Sequence, residues 1–112
     1  MHNDNSKYNG WTNYATWRVQ LEMLDGQTCE DFGVTPEDGE RLPDIRALED
    51  CLETSCREII EMDANGLARD YALAFLGAVN WRELAEHMID NYAETLSTMV
   101  AACDATMYVR EA

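Results

Sequence analysis

The chain is poor in positive charge: eight lysines and arginines stand against 22 aspartates and glutamates, giving a formal net charge of −14 over 112 residues. A surface of that sign repels phosphate, so direct nucleic-acid binding and attachment to an anionic membrane are not expected, and a basic protein partner is what the balance favours. Long apolar runs are also missing. None approaches the roughly 20 residues that span a bilayer, and the opening Met1-His2-Asn3-Asp4-Asn5-Ser6 has neither the basic nor the apolar region of a secretion signal. The expected location is the cytoplasm.

Catalytic and metal-binding signatures are absent as well. There is no GxSxG, no phosphate-cradling glycine loop, no HExxH, no CxxC pair and no D-x-D-x-D-G calcium loop. Of the two histidines, His2 belongs to a polar terminus. His87 has Glu83 four residues before it and Asp90 three after, a spacing that would suit a base with an orienting carboxylate or a weak metal site. It lies on the polar side of the Leu84 and Met88 stripe, so the reading adopted is a solvated histidine among surface acids. The four cysteines are Cys29, Cys51, Cys56 and Cys103. Without a secretion signal they are expected to stay reduced, and Cys51 and Cys56, five apart, point about 140° away from each other on a helix. They read as small core residues or bystanders. No enzyme activity, cofactor or metal is expected.

What is present is enough apolar material for one core. Hydrophobic residues make up 46% of the chain and charged residues 27%, which argues for a folded domain rather than disorder, and the length suits a single one. The organising stretch is Tyr8-Asn9-Gly10-Trp11-Thr12-Asn13-Tyr14-Ala15-Thr16-Trp17, where a loop turns into a helix. Gly10 supplies a turn, Thr12 or Asn13 can cap the helix, and Tyr14, Trp17, Leu21 and Leu24 recur at helical spacing. Trp11, Tyr14, Trp17, Leu21 and Trp81 are therefore taken as structural core, since aromatics at such spacing usually form a buried stripe.

Residues 1–9 form a polar lead-in, and the first helix is expected from Asn13 to Leu24, stopped by Asp25-Gly26. Residues 27–43 read as a long loop with Phe32, Val34 and Leu42 as apolar hooks. Pro43-Asp44 opens a second helix with the stripe Ile45, Leu48, Leu52, Cys56, Ile59 and Ile60, and Asn65-Gly66 closes it. The more uniformly apolar residues 67–79 predict a central helix buried on most sides. Asn80 caps a fourth helix, with Glu83 completing an N-x-x-E capping-box arrangement. Its stripe runs through Trp81, Leu84, Ala85, Met88, Tyr92, Leu96, Met99 and Cys103, although Thr95, Ser97 and Thr98 favour a break near Thr95. Residues 106–110 are left as helix end or tail. The fold expected is all-α, a compact single-domain bundle of four to five helices with one long acidic loop, about 60% helical.

The acidity is concentrated. Residues 25–63 carry 13 acidic side chains and three arginines, a local net of −10. Carboxylates three or four apart on a helix lie about 5–6 Å from one another, comparable to neighbouring phosphates on a nucleic-acid strand. Glu37, Asp38 and Glu40 in the loop, with Glu49, Asp50, Glu53, Glu58 and Glu61 on the second helix, are the candidate partner-binding residues. The plain alternative is a solvated face that keeps a small protein soluble.

Residues Asn9-Gly10-Trp11-Thr12-Asn13-Tyr14-Ala15-Thr16-Trp17 resemble the "NGWTNYETW" signature of a family of small proteins of bacteriophages, plasmids and other mobile elements, and Asn80-Trp81-Arg82-Glu83-Leu84-Ala85-Glu86-His87-Met88-Ile89 resembles that family's "DWxEIAEHLI" segment. Together the two matches cover about a fifth of the chain. Ala15 departs from the signature's glutamate, so no role of that carboxylate carries over. The resemblance implies a mobile element inside a bacterial cell, where small acidic proteins often disarm host defence. The resulting expectation is an anti-CRISPR or antirestriction inhibitor that mimics nucleic acid toward a basic groove of a host defence complex. The alternative is an adaptor or homodimer that docks through an apolar face, with Trp11, Trp17, Trp81 and Tyr92 as anchors.

Overall fold

The structure is a computed structural model that describes residues 8–111, with side chains described for residues 8–100. The rest of the predicted lead-in and the side chain of Cys103 lie outside the described residues. The protein is all-α: four α-helices and no strands among the described residues, with about 70% of the chain helical. Helix α1 covers Tyr14–Val19 and continues as a π-helical turn, Gln20–Leu24. A short 3-10 turn follows at Cys29–Phe32, then α2 (Ile45–Asp63), α3 (Gly66–Leu76) and α4 (Trp81–Glu111). No helix among the described residues is long and apolar enough to cross a membrane.

The predicted turn at Gly10 is present and tight. Asn9 and Gly10 both have positive φ, +50° and +89°, and the backbones of Tyr8 and Trp11 exchange two hydrogen bonds of 2.6 and 2.8 Å. Asn-Gly is the pair that such a turn favours, because both central residues must enter the left-handed region. At the other end Gly26, φ +80°, stops the first helix as expected, and Gln27 N–H closes the turn onto the Leu24 carbonyl at 3.0 Å.

The first helix buries a different face from the one its aromatics predict. Ala15, Thr16, Val19 and Leu24 are in the core, whereas Tyr14 and Leu21 are 41% and 50% exposed and Trp17 is half-buried. Of the five predicted core residues, only Trp11 and Trp81 pack against the buried cluster, at its edge. The small Ala15 and Thr16 let α1 approach the segment before α4 closely, which a ring at either position would prevent. Val19 and Leu24, five apart, would lie about 140° from each other on a regular α-helix. The wider π turn, with its i→i+5 bonding, returns both to the core.

That close approach is used by a set of hydrogen bonds between residues 12–16 and 78–83. Asn13 Oδ1 caps α1 by accepting from Thr16 N–H at 2.9 Å, while its Nδ2 donates to the Ala78 carbonyl at 2.8 Å. Asn80 reciprocates: Oδ1 accepts from Glu83 N–H at 3.1 Å to cap α4, and Nδ2 donates to Thr12 Oγ1 at 3.1 Å. Each asparagine thus caps its own helix and ties down the chain leading into the other. The fully buried Thr16 completes the set. Its hydroxyl donates to Asn13 Oδ1 at 2.7 Å and accepts from Asn80 N–H at 2.8 Å. The predicted capping box at Asn80 is only half formed, because the Glu83 carboxylate turns away to accept from Thr12 N–H at 2.9 Å.

The core lies between α2 and α4, with the 3-10 turn sealing one side. Leu48, Leu52 and Cys56 of α2 meet Leu84, Ala85, Met88 and Ile89 of α4, joined by Leu24, Cys29, Val34 and Leu76. Burying a leucine side chain contributes about 1.5–3 kcal/mol. The predicted stripe of α2 holds at its centre, while Ile59 is 47% exposed. The long loop is anchored more firmly than its composition implies. Cys29 is completely buried, and a capping box between Thr28 and Asp31 shapes the 3-10 turn.

Two further expectations are overturned. Helix α3 is peripheral rather than central, with Leu76 its one buried residue: it packs mainly on α2, since α2 and α4 already cover each other. Helix α4 runs without a break through Thr95, Ser97 and Thr98, whose modest helix preferences are too weak to interrupt a helix nucleated by a strong cap. That continuous helix carries the helical content above the expected figure.

The interlocked caps predict a specific mutational pattern. Thr16→Val keeps the shape but strands the Asn80 N–H, and is expected to cost about 1–3 kcal/mol. Thr16→Ser, which keeps the hydroxyl, should lose less. Urea unfolding followed by circular dichroism ranks the two variants.

Candidate functional site

The acidic residues singled out from the sequence fall into three groups. Glu37, Asp38 and Glu40 sit on an exposed turn closed by a 2.8 Å bond from Glu40 N–H to the Glu37 carbonyl. Glu49 and Glu53 are half-buried and paired: Glu49 meets Arg82 of α4 at 3.1 Å, and Glu53 meets Arg57 one turn along at 3.3 Å. Asp50, Glu58 and Glu61 are exposed. At about 100° per residue they share a sector roughly 80° wide, spread over about 16 Å of helix and opposite the buried Leu48, Leu52 and Cys56. Arg46 and Arg57 project between the paired and the outer carboxylates. Among the described residues no ion pair involves Glu37, Asp38, Glu40, Asp50, Glu58 or Glu61. The eight candidates are therefore not one uniform surface. Six are free and two have a structural use, with Glu49 helping to hold α2 against α4.

A second feature is apolar. Leu67, Tyr71 and Phe75 recur every fourth residue along α3 and are 66%, 70% and 39% exposed. Phe75 continues into a surface cluster of rings: its centroid is 6.3 Å from Tyr14, which lies 5.1 Å from Tyr8 and 5.7 Å from Trp17. Arg18 covers one side of this cluster, donating to the Tyr14 hydroxyl at 2.5 Å and pairing with Glu22 at 2.6 Å. Of the anchors expected for an apolar docking face, Trp11, Trp81 and Tyr92 are half-buried against the core instead. The periodicity of α3 is visible in the sequence, but an apolar stripe ordinarily signals burial, so its exposure is not.

His87 is exposed and stacks edge-on against Trp11, ring centroids 4.9 Å apart. Glu83, the carboxylate that would orient it, is committed to Thr12. No group of three or more His, Cys, Asp or Glu among the described residues is arranged to hold a metal ion. Cys29 and Cys56 are core residues, and burial pushes both thiols up, that of Cys56 to about 11. Cys51 is half-buried, with Sγ 3.8 Å from the Phe32 carbonyl.

A groove of about 410 Å³ runs between residues 20–30 and residues 87–99 of α4. No sequence signal marks it, because its two walls are more than 50 positions apart. Comparisons with protein-family models, with curated proteins and with solved structures return no match.

The buried thiol carries a pH signature. Cys56 ionises near 9 in the unfolded chain and near 11 when folded, so its contribution to stability is complete below pH 9 and is lost as the pH rises toward 11. The urea midpoint should fall across that window, and Cys56→Ala, with no thiol to ionise, should flatten the fall.

Proposed function

We propose that the protein is a mobile-element anti-defence inhibitor of the anti-CRISPR or antirestriction type, acting in the bacterial cytoplasm without catalysis. In this reading it places an acidic, nucleic-acid-like surface in the basic groove of a host defence complex. The observation that carries the proposal is the outer sector of α2, where Asp50, Glu58 and Glu61 are exposed and without an arginine partner, preceded by the exposed Glu37, Asp38 and Glu40. Charges in such an array steer a basic partner at long range and set its orientation. The resemblance of residues 9–17 and 80–89 to mobile-element proteins supplies the setting. In the structure these two segments are the ones joined by the interlocked caps, so they support the fold, while six carboxylates of the acidic segment between them are exposed.

The test is a triple reversal, Asp50→Lys, Glu58→Lys and Glu61→Lys, which leaves the Glu49–Arg82 pair intact. In a bacterial strain with a defined restriction or CRISPR system, the native protein should raise the plating of a targeted phage and the triple variant should not, with unchanged circular dichroism. Three exposed contacts at roughly 1 kcal/mol each correspond to about a hundredfold weaker binding. Full protection by the triple variant would exclude the acidic sector.

The exposed stripe of α3 favours a second reading, a non-enzymatic adaptor or homodimeric regulator that docks through Leu67, Tyr71 and Phe75. Here association should survive high salt, and Tyr71→Ala should weaken it by about 1–2 kcal/mol or more while the acidic reversal has no effect. Sedimentation of the pure protein in low and high salt separates the two readings for self-association.

A further inference from the structure

The groove between residues 20–30 and α4 shares no residue with the acidic sector of α2. We propose that it is a receptor for an arginine side chain presented by a protein partner. Its lining combines three kinds of group. Asp25 and Glu30 bring negative charge, and no lysine or arginine lines the groove to balance them. Tyr92 and His87 bring aromatic rings to the lining, and Leu96 brings aliphatic surface. Gln20 also lines the groove, and its Oε1 is enclosed by protein with no hydrogen-bond donor.

Those features match a guanidinium better than other cations. A buried acceptor left unsatisfied is destabilising, and the terminal torsion of a glutamine is broad and soft. A donor arriving in the groove therefore gives the Gln20 amide a reason to rotate its oxygen outward. Arginine provides several N–H donors in one plane, enough to reach Gln20 and a carboxylate together, and that plane stacks on an aromatic ring. A lysine ammonium is a compact, strongly hydrated charge that does not stack in this way. The arginine's methylene stem would lie against Leu96. The inference does not depend on the acidic sector of α2, and either site can fail without the other.

The experiment is a nitrogen-15 heteronuclear NMR titration of the full chain with N-acetyl-arginine methylamide, alongside the citrulline and lysine analogues. The expected result is shifts centred on residues 20–30 and 87–99, with arginine binding about tenfold more tightly than citrulline, its neutral isostere, and more tightly than lysine. Gln20→Met, which removes the acceptor at similar volume, and Glu30→Gln, at an exposed position, should each reduce binding several-fold. Equal binding of citrulline, equal binding of lysine, or shifts confined to residues 45–63 would each overturn the proposal. Should Gln20→Met fail to fold, unreduced binding by Glu30→Gln overturns it alone.

Discussion

The structure depends on two asparagines that each serve two helices. Asn13 and Asn80 use the amide oxygen to cap their own helix and the amide nitrogen to hold the approach to the other. Aspartate, serine or threonine would cap as well, but none offers that nitrogen donor. Thr16 lies between them with its hydroxyl used in both directions and no exposed surface. A buried polar group is costly unless satisfied, so this junction tolerates one geometry and thereby sets where α1 sits on α4. The π turn at Gln20–Leu24 follows from it, because α1 is positioned by its first turn and Leu24 must still reach the core.

The junction also determines what is left for the surface. Since α1 turns Ala15 and Thr16 inward, its rings face outward and gather with Phe75 of α3. Since α2 and α4 cover each other, α3 keeps its apolar stripe exposed and α2 keeps one acidic sector in water. The molecule thus carries an acidic sector, an apolar stripe and a groove, all held by a small core. Arg82 of α4 pairs with Glu49 of α2, so one of the conspicuous carboxylates contributes to packing rather than to recognition.

Much of the candidate acidic surface was legible in the sequence because charge density is a property of composition, and because Leu48, Leu52 and Cys56 define the opposite face of α2 by periodicity. The neutralisation of Glu49 was not legible, as its partner Arg82 is 33 residues away. Nor was the groove, whose orphaned Gln20 oxygen and acidic rim come from an element distant in the chain from Tyr92 and Leu96. Thr16 was missed although Asn13-x-x-Thr16 has cap spacing, because a threonine inside a helix carries no local mark of burial.

By itself the sequence determined the helical class, the turn at Asn9-Gly10, the stops and starts at Gly26, Asp44 and Asn80, and the clustering of negative charge. These are settled by interactions within three or four residues, or by simple counting. Tertiary structure alone decided which face of α1 is buried, that α3 lies outside, and that Glu83 serves Thr12 instead of its own cap. Each of those outcomes turns on contacts between segments far apart in the chain, 64 to 71 residues in the case of the interlocked caps. Local spacing can state that a stripe is apolar, but only the neighbouring helix decides whether anything covers it.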